Sequence, residues 1–465
     1  MKARKIPHTG ANFIRTGRDL TSVTLETLLR WQEQLGELYY INMGPLPGFY
    51  ATADLGMVDE ILLKQRARFK KSSMYDGLSL MTGKGLVTNE GEHWKRQRRL
   101  AAPAFHMAHL QKVFSLMLEE IDTCMDQLEQ RAGEVIHWEQ VVIALTMNVV
   151  VKGLIGVTLA GDTERFAAAS QLGLAHAMRL WKDPFFKYTQ HISGAKKRFD
   201  TENAFLGELI DRFIQERRET GNEGKLDVMS MFMTAVDEET GEPMDDQQLR
   251  DEIMTMFLGG HETSSHTLSW GLLRLRKHPD VVDKIREEVD RVVGDAPLQF
   301  SHISQLKYTE MVLNEMMRLD AAVWTIARTC TETITFSNGL SFPANTQFMI
   351  PIYAIQRNPK YWPDPGEFRP ERFADGLPKK DLKHSYMPFG AGPRICIGSR
   401  FAMLELSAIL VSLLRRFDVE ILSESATYEA AITLAPTSHI DIRVGPRAVT
   451  RSRVEAEEPE LADVT

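Results

Sequence analysis

Between residues 104 and 300 apolar side chains return every three or four positions, as in FSLMLEEIDTCMDQLEQ (114–130) and RFDTENAFLGELIDRFIQERRE (198–219), with Gly- and Asp-rich breaks between the runs. That period puts the apolar groups on one face of a helix, so the body of the chain reads as helical. Strand signals gather at two places. One is TITFSNGLSF (333–342), where Asn338-Gly339 between alternating apolar residues predicts a tight hairpin. The other is ATYEAAITL (426–434) followed by HIDIRV (439–444). The expected fold class is mainly α with a small β region.

The segment from Met244 to Pro279 carries helix-start signals in Asp245 and Asp246 and a stop signal in Pro279. Helical throughout, its roughly 33 residues would reach about 50 Å, enough to cross a domain. In its middle stands GGHETSS (259–265). A mid-helix glycine costs about 1 kcal/mol relative to alanine, and Gly/Ser pairs favour kinks, so the helix is expected to open there. His261, Glu262 and His266 superficially resemble a zinc-binding HExxH. The sequence HETSSH, however, sets the histidines at i and i+5, about 140° apart around a helix instead of on one face. From the residues alone two readings stay open. The glycines admit a closely packed neighbouring helix, or they clear space for a flat ligand on which Glu262 and Thr263 act.

Hydrophobic residues make up 43% and charged residues 25% of the 465, the balance of an ordinary globular protein. No linker-like stretch divides the chain, so residues 1–450 are expected to form a single domain; the acidic end, RVEAEEPELADVT, makes 451–465 read as a disordered tail. A net charge of -8 argues against a general nucleic-acid binder. The amino terminus lacks the apolar core of a signal peptide, and no run approaches the roughly 20 apolar residues of a membrane span. A cytoplasmic protein without a transmembrane anchor is the expectation. Cys124, Cys330 and Cys396 are far apart with no CxxC, which disfavours a disulfide framework or structural zinc.

Cys396 has a distinctive setting. It follows a loop containing Gly390 and Gly392 and precedes Gly398 and a strong helical pattern. A phosphate loop is a weak reading, because GxxxxGK[ST] is absent and Ile395 stands where GxGxxG needs its third glycine. A cysteine at a helix N-terminus beside Arg394 should favour thiolate, which suits a nucleophile or a soft metal ligand.

The run from Phe389 to Gly398, FGAGPRICIG, resembles the haem-binding loop FxxGxRxCxG of the cytochrome P-450 superfamily at every fixed position. Glu315-Met316-Met317-Arg318 looks like its ExxR motif, and Phe368 to Phe373 looks like the segment that supplies a second arginine, here Arg372. Trp94 to Arg98 resembles WxxxR, whose aromatic and cationic ends meet haem propionates, and Arg328 matches a further propionate contact. GGHETSS resembles the oxygen-activation motif [AG]GxxT[TS], with an acid before the threonine. One departure stands out. Where the family continues Leu-x-Pro-Pro after ExxR, this chain has Leu319 followed by Asp320, Ala321 and Ala322.

The resemblance implies the P-450 fold, with the long central helix over haem b (iron protoporphyrin IX). It implies Cys396 as axial iron ligand, with Trp94, Arg98, Gly259, Gly260, Arg328, Phe389, Arg394 and Gly398 around the cofactor. Glu262 and Thr263 would handle protons, and Glu315, Arg318 and Arg372 would be structural. The implied reaction inserts one atom of O2 into a C–H or C=C bond of a lipophilic substrate, since a thiolate ligand favours O–O cleavage. Electrons would come from a ferredoxin or flavodoxin and its reductase, docked on a basic face of Arg96, Arg99, Arg394 and Arg400. The alternatives are a peroxide-driven or isomerising haem-thiolate enzyme and a non-catalytic haem sensor. By the same likeness, residues 74–88, 172–188 and 431–437 line the substrate pocket.

Overall fold

A computed structural model describes residues 6–10, 12–158, 163–183 and 185–447; the acidic end at 451–465 lies outside the described residues. Long helices form the body: Met107–Gln130, Trp138–Ile155, Thr163–Lys182, Ala195–Thr220, Asp246–Leu275, Pro279–Val292, Lys307–Leu319 and Ser399–Arg416. Asp246–Leu275 runs through the middle of them, packed most extensively against Trp138–Ile155, and 22 of its 30 residues are buried. Its start is set locally, because the Asp245 carboxylate accepts the Gln248 N–H at 2.8 Å. Pro279 then opens the following helix at its first position, where a missing N–H costs nothing.

The helix does not open at GGHETSS. Helical geometry continues from Asp246 to Leu275, and Thr263 Oγ1 donates to the Gly259 carbonyl at 2.9 Å within it. Buried packing on both sides outweighs the propensity cost of two glycines.

The expected hairpin forms, with Ile334 opposite Phe342 and Thr335 opposite Ser341. Phe336 N–H donates to Leu340 O at 2.9 Å, which leaves Ser337, Asn338 and Gly339 as the turn, and Gly339 takes the positive φ (81°) that such a turn requires. Near the C-terminus Tyr428–Ala430 pairs with Leu434–Pro436, while Asp441–Pro446 pairs with Phe417–Ile421 and with Ile136–His137. The largest sheet gave no strong sequence signal. Its five strands, in spatial order Leu38–Ile41, Phe49–Thr52, Gln347–Ile350, Ile326–Cys330 and Phe69–Lys71, are three to five residues long and drawn from distant parts of the chain.

A large hydrophobic core surrounds the central helix, and a second, smaller one lies against the five-stranded sheet, where Phe336, Phe342 and Phe348 meet at ring-centroid distances of 5.0 to 5.7 Å. Trp138–Ile155 is long and apolar enough to cross a membrane by length and composition; 61% of it is buried inside the fold, against the central helix.

Candidate active site

The cysteine loop is closed by its own backbone. Cys396 N–H donates to Phe389 O at 2.9 Å, Gly390 N–H to Met387 O at 3.0 Å and Ile395 N–H to Gly392 O at 3.0 Å. Gly392 has φ 73°, and a Cβ there would stand 2.3 Å from the Leu62 carbonyl oxygen, so a side chain is excluded twice over. Cys396 is exposed by surface area, yet its thiol is pushed up by burial, and the Gly398 N–H and Arg98 pull it the other way without prevailing. The sulfur thus opens on a recess walled by protein. The expected stabilisation of a free thiolate by Arg394 does not occur. That guanidinium turns to Glu90, donates to Asn89 O at 2.7 Å and lies 3.7 Å over the Trp94 ring; the cation that acts on the sulfur is Arg98.

A nucleophilic cysteine needs a depressed pKa, whereas a thiol that binds a metal ion loses its proton to the metal. Among the two readings left by the sequence, the surroundings of Cys396 fit the ligand.

Beside it gathers positive charge. Arg394 is lowered to about 10 by burial and by Arg328 and Arg98, against the pull of Glu90. Lys71, which sequence reasoning missed, is driven well below the ordinary range by burial and by the same Arg328 and Arg394, and its Nζ donates to Val87 O. Lys71 sits opposite Arg328 across two adjacent strands. Arg394 is paired with Glu90, which also accepts the Lys71 backbone N–H at 2.8 Å, while Arg98 and Arg328 act on Arg394, so one carboxylate serves a cluster of four basic side chains. The two propionates of a porphyrin are anions of the kind this cluster is short of.

The two glycines of the central helix do different work. A Cβ on Gly260 would stand 2.9 Å from Val150 Cγ2, so Gly260 admits the neighbouring helix Trp138–Ile155. A Cβ on Gly259 would meet nothing within 4 Å, and Gly259 is exposed in the middle of an otherwise buried stretch. Packing against a neighbouring helix is therefore the role of Gly260, while Gly259 leaves open space on its face of the helix. Thr263, one turn on and bonded back to Gly259 O, shares that open face. Glu262 is buried; burial pushes its carboxyl up to about 7, and the Thr433 hydroxyl, donating to it at 3.0 Å, pulls the other way. His261 is fully buried, its Nδ1 bonded to Phe257 O at 2.8 Å, and burial lowers it to about 4; burial and His261 lower His266 to about 3.

Glu315 and Arg318, each with no exposed surface, form a two-pronged pair at 2.6 and 2.8 Å. Arg318 also donates to Gln356 O, Pro365 O and Glu367 O, and Arg372 Nε lies 3.4 Å from Glu315. This unit reaches the cysteine loop through buried Gln356. Its amide nitrogen donates to Met317 O and Arg318 O at 3.0 Å, while its oxygen accepts Met387 N–H at 2.8 Å.

The chain matches the family model described as Cytochrome P450 over residues 18–438. It belongs to the cytochrome P450 family. Cyclooctatin synthase of Streptomyces melanosporofaciens is 30% identical over 383 residues, 82% of this chain and 83% of that protein. Cyclooctat-9-en-7-ol 5-monooxygenase of the same organism is 28% identical over 390 residues, 82% of each chain. Cytochrome P450 3A1 of Rattus norvegicus is 27% identical over 439 residues, 89% of this chain and 86% of that one. The family and these monooxygenases make the chain an oxidoreductase of the haem-thiolate monooxygenase type, and membership implies O2, a redox partner and a lipophilic substrate.

In this P450 the basic face expected from four arginines is mostly spent inside the molecule. Arg99 pairs with Asp237 at 3.0 Å and Glu239 at 2.9 Å, Arg96 donates to Glu242 O, Pro243 O and Gln248, and Arg394 is held by Glu90. Arg400 is exposed and has no partner among the described residues. The missing Pro-Pro turn is held by other means. Asp320 meets Arg274 of the central helix twice at 2.7 Å and Arg357 at 3.4 Å, and Ala322 O accepts Leu434 N–H at 2.8 Å.

Proposed function

We propose that this P450 binds haem b through Cys396 and inserts one atom of O2 into a C–H or C=C bond of a lipophilic substrate in the cytoplasm. The observation that carries the reading is the setting of Cys396. Its thiol, raised by burial, opens on a walled recess near the basic side chains of Arg98, Arg328, Arg394 and Lys71. Bound there, thiolate-ligated haem supplies the capacity to activate O2. The chain's own residues do the rest. Gly398 N–H and Arg98 stabilise the sulfur's negative charge, Trp94 stacks on Arg394, and Arg98, Arg328, Arg394 and Lys71 would hold the propionates. Gly259 leaves its face of the helix clear, Thr263 offers a hydroxyl on that face, and Glu262, titrating near 7, is poised to supply protons at physiological pH.

Electrons are proposed to come from a small acidic ferredoxin or flavodoxin and its reductase, with Arg400 as the free cation of the docking face. One relative is a cyclooctat-9-en-7-ol 5-monooxygenase, which supports a largely hydrocarbon substrate. The test is a carbon monoxide difference spectrum of the reduced protein. A thiolate-type band that disappears in Cys396→His supports the reading; a histidine-type band in the intact protein overturns it. In Thr263→Ala the haem stays bound while peroxide release rises at the expense of product.

A further inference from the structure

The short hairpin Tyr428–Ala430 with Leu434–Pro436 is pinned from several sides. Trp270 of the central helix donates its indole N–H to Leu434 O at 2.9 Å, and Trp324 donates to Ala431 O at 2.8 Å. Leu434 N–H donates to Ala322 O at 2.8 Å, and Lys182, at the end of helix Thr163–Lys182, donates to Ala430 O at 2.9 Å. Between these anchors stands Thr433, buried, whose hydroxyl donates to Glu262 across 171 positions of sequence. The motif that drew attention to Glu262 says nothing of this partner.

We propose that Thr433 is a positioning residue for Glu262: the hairpin carries a hydroxyl that holds the carboxyl in place and so ties proton supply to the placement of residues 428–436. The inference rests on the reading of Glu262 as the proton donor.

Three physical points support it. The bond is buried, so water does not replace it when it is lost. The hydroxyl stabilises the charged form of Glu262 against the burial that disfavours it, and these are the two influences acting on that group. The titratable groups nearest to this contact have other partners or are neutral, apart from Glu405 of the helix Ser399–Arg416, on which Ser264 acts and which is absent from the influences on Glu262. On the same helix His261 and His266 are neutral through burial; on the hairpin Glu429 lies 3.8 Å from Lys182 of the neighbouring helix; and before the Trp324 loop Asp320 is held by Arg274 and Arg357. Lys182 therefore links the helix that ends the 163–182 segment to the same hairpin that holds the acid. A substrate that shifts either element would alter the grip of Thr433 on Glu262.

The test uses the haem-loaded, full-length protein and pH-difference infrared spectra of protonated carboxyls, with the band lost in Glu262→Gln assigning the residue. Thr433→Val keeps the shape and removes the donor. Its expected effect is a rise of about one unit in the Glu262 pKa, a tenfold change in the protonation equilibrium, together with a shift of the carboxyl band. Thr433→Ser restores both. Thr433→Ala serves if the valine variant does not fold. An unshifted titration in Thr433→Val, or no recovery in Thr433→Ser, overturns the proposal. Peroxide released per NADPH consumed when a ferredoxin and its reductase supply both electrons of O2 reduction, followed across pH, tests the underlying reading separately. An unchanged yield in Glu262→Gln removes Glu262 as proton donor, which leaves the inference without a role even if the infrared shift is found.

Discussion

Replacing Asp320 by alanine probes the substitute for the family's rigid turn. Asp320 ends the helix Lys307–Leu319 with its backbone N–H on Met316 O, a bond that alanine keeps, while its side chain is almost wholly buried and bonds two arginines. Removing one partner of a buried ion pair costs about 3–5 kcal/mol, because the remaining charge is left desolvated. Arg274 keeps 37% of its side-chain surface and recovers some hydration, which discounts its share. Arg357 keeps only 10% but also stacks on Tyr353 at 3.7 Å from the ring centroid, which shelters its charge. The net expectation is a loss of about 2–3 kcal/mol. Urea unfolding followed by tryptophan fluorescence measures it, and a cycle with Arg274→Ala isolates the pair. The double variant should cost less than the sum of the singles, since the second change removes a charge already stranded. A loss below about 0.5 kcal/mol in Asp320→Ala, or additive singles, would mean that this turn is held without the ion pairs.

The two glycines should separate cleanly. Gly260→Ala drives a methyl against Val150 and lowers stability by about 1–3 kcal/mol, whereas Gly259→Ala is neutral or slightly stabilising for the fold but weakens haem retention, read by the Soret absorbance after gel filtration. Equal effects of both on unfolding would refute the division of labour. Glu405, on the helix after Cys396, is fully buried, and burial pushes it up to about 8; Ser264 lies close enough to oppose this, but neither carboxyl oxygen has a partner at hydrogen-bonding geometry. A carboxyl raised in the folded state contributes stability that is complete below its unfolded pKa near 4.5 and is lost as pH rises through about 8. Wild type should therefore lose several kcal/mol relative to Glu405→Gln between pH 5 and 9, by at most about 4–5; parallel stability curves would contradict it. Lys71→Met, which keeps length and removes the donor, should weaken haem binding without moving the carbon monoxide band, because Lys71 belongs to the propionate side and not to the sulfur.

What the sequence determined by itself was whatever neighbours along the chain decide. The caps at Asp245 and Pro279 act within one helical turn, Asn338-Gly339 makes its own turn, and Glu315 and Arg318 share a face because they are three residues apart. The cysteine loop is likewise closed by bonds spanning at most seven residues, so FGAGPRICIG could be recognised as a string. Tertiary structure decided everything that depends on partners far away. Val150 assigns one glycine to packing while open space assigns the other to clearance. Glu90, Asp237 and Glu239 neutralise arginines that looked free on paper, and Lys71, Gln356 and Thr433 enter the site with no local signal. The five-stranded sheet was invisible for the same reason, since strands of three to five residues hold only through partners elsewhere in the chain. Charge behaves alike. A pKa reflects burial and neighbouring charges in three dimensions, so the cation that acts on Cys396 proved to be Arg98, almost 300 residues away, and not Arg394 beside it.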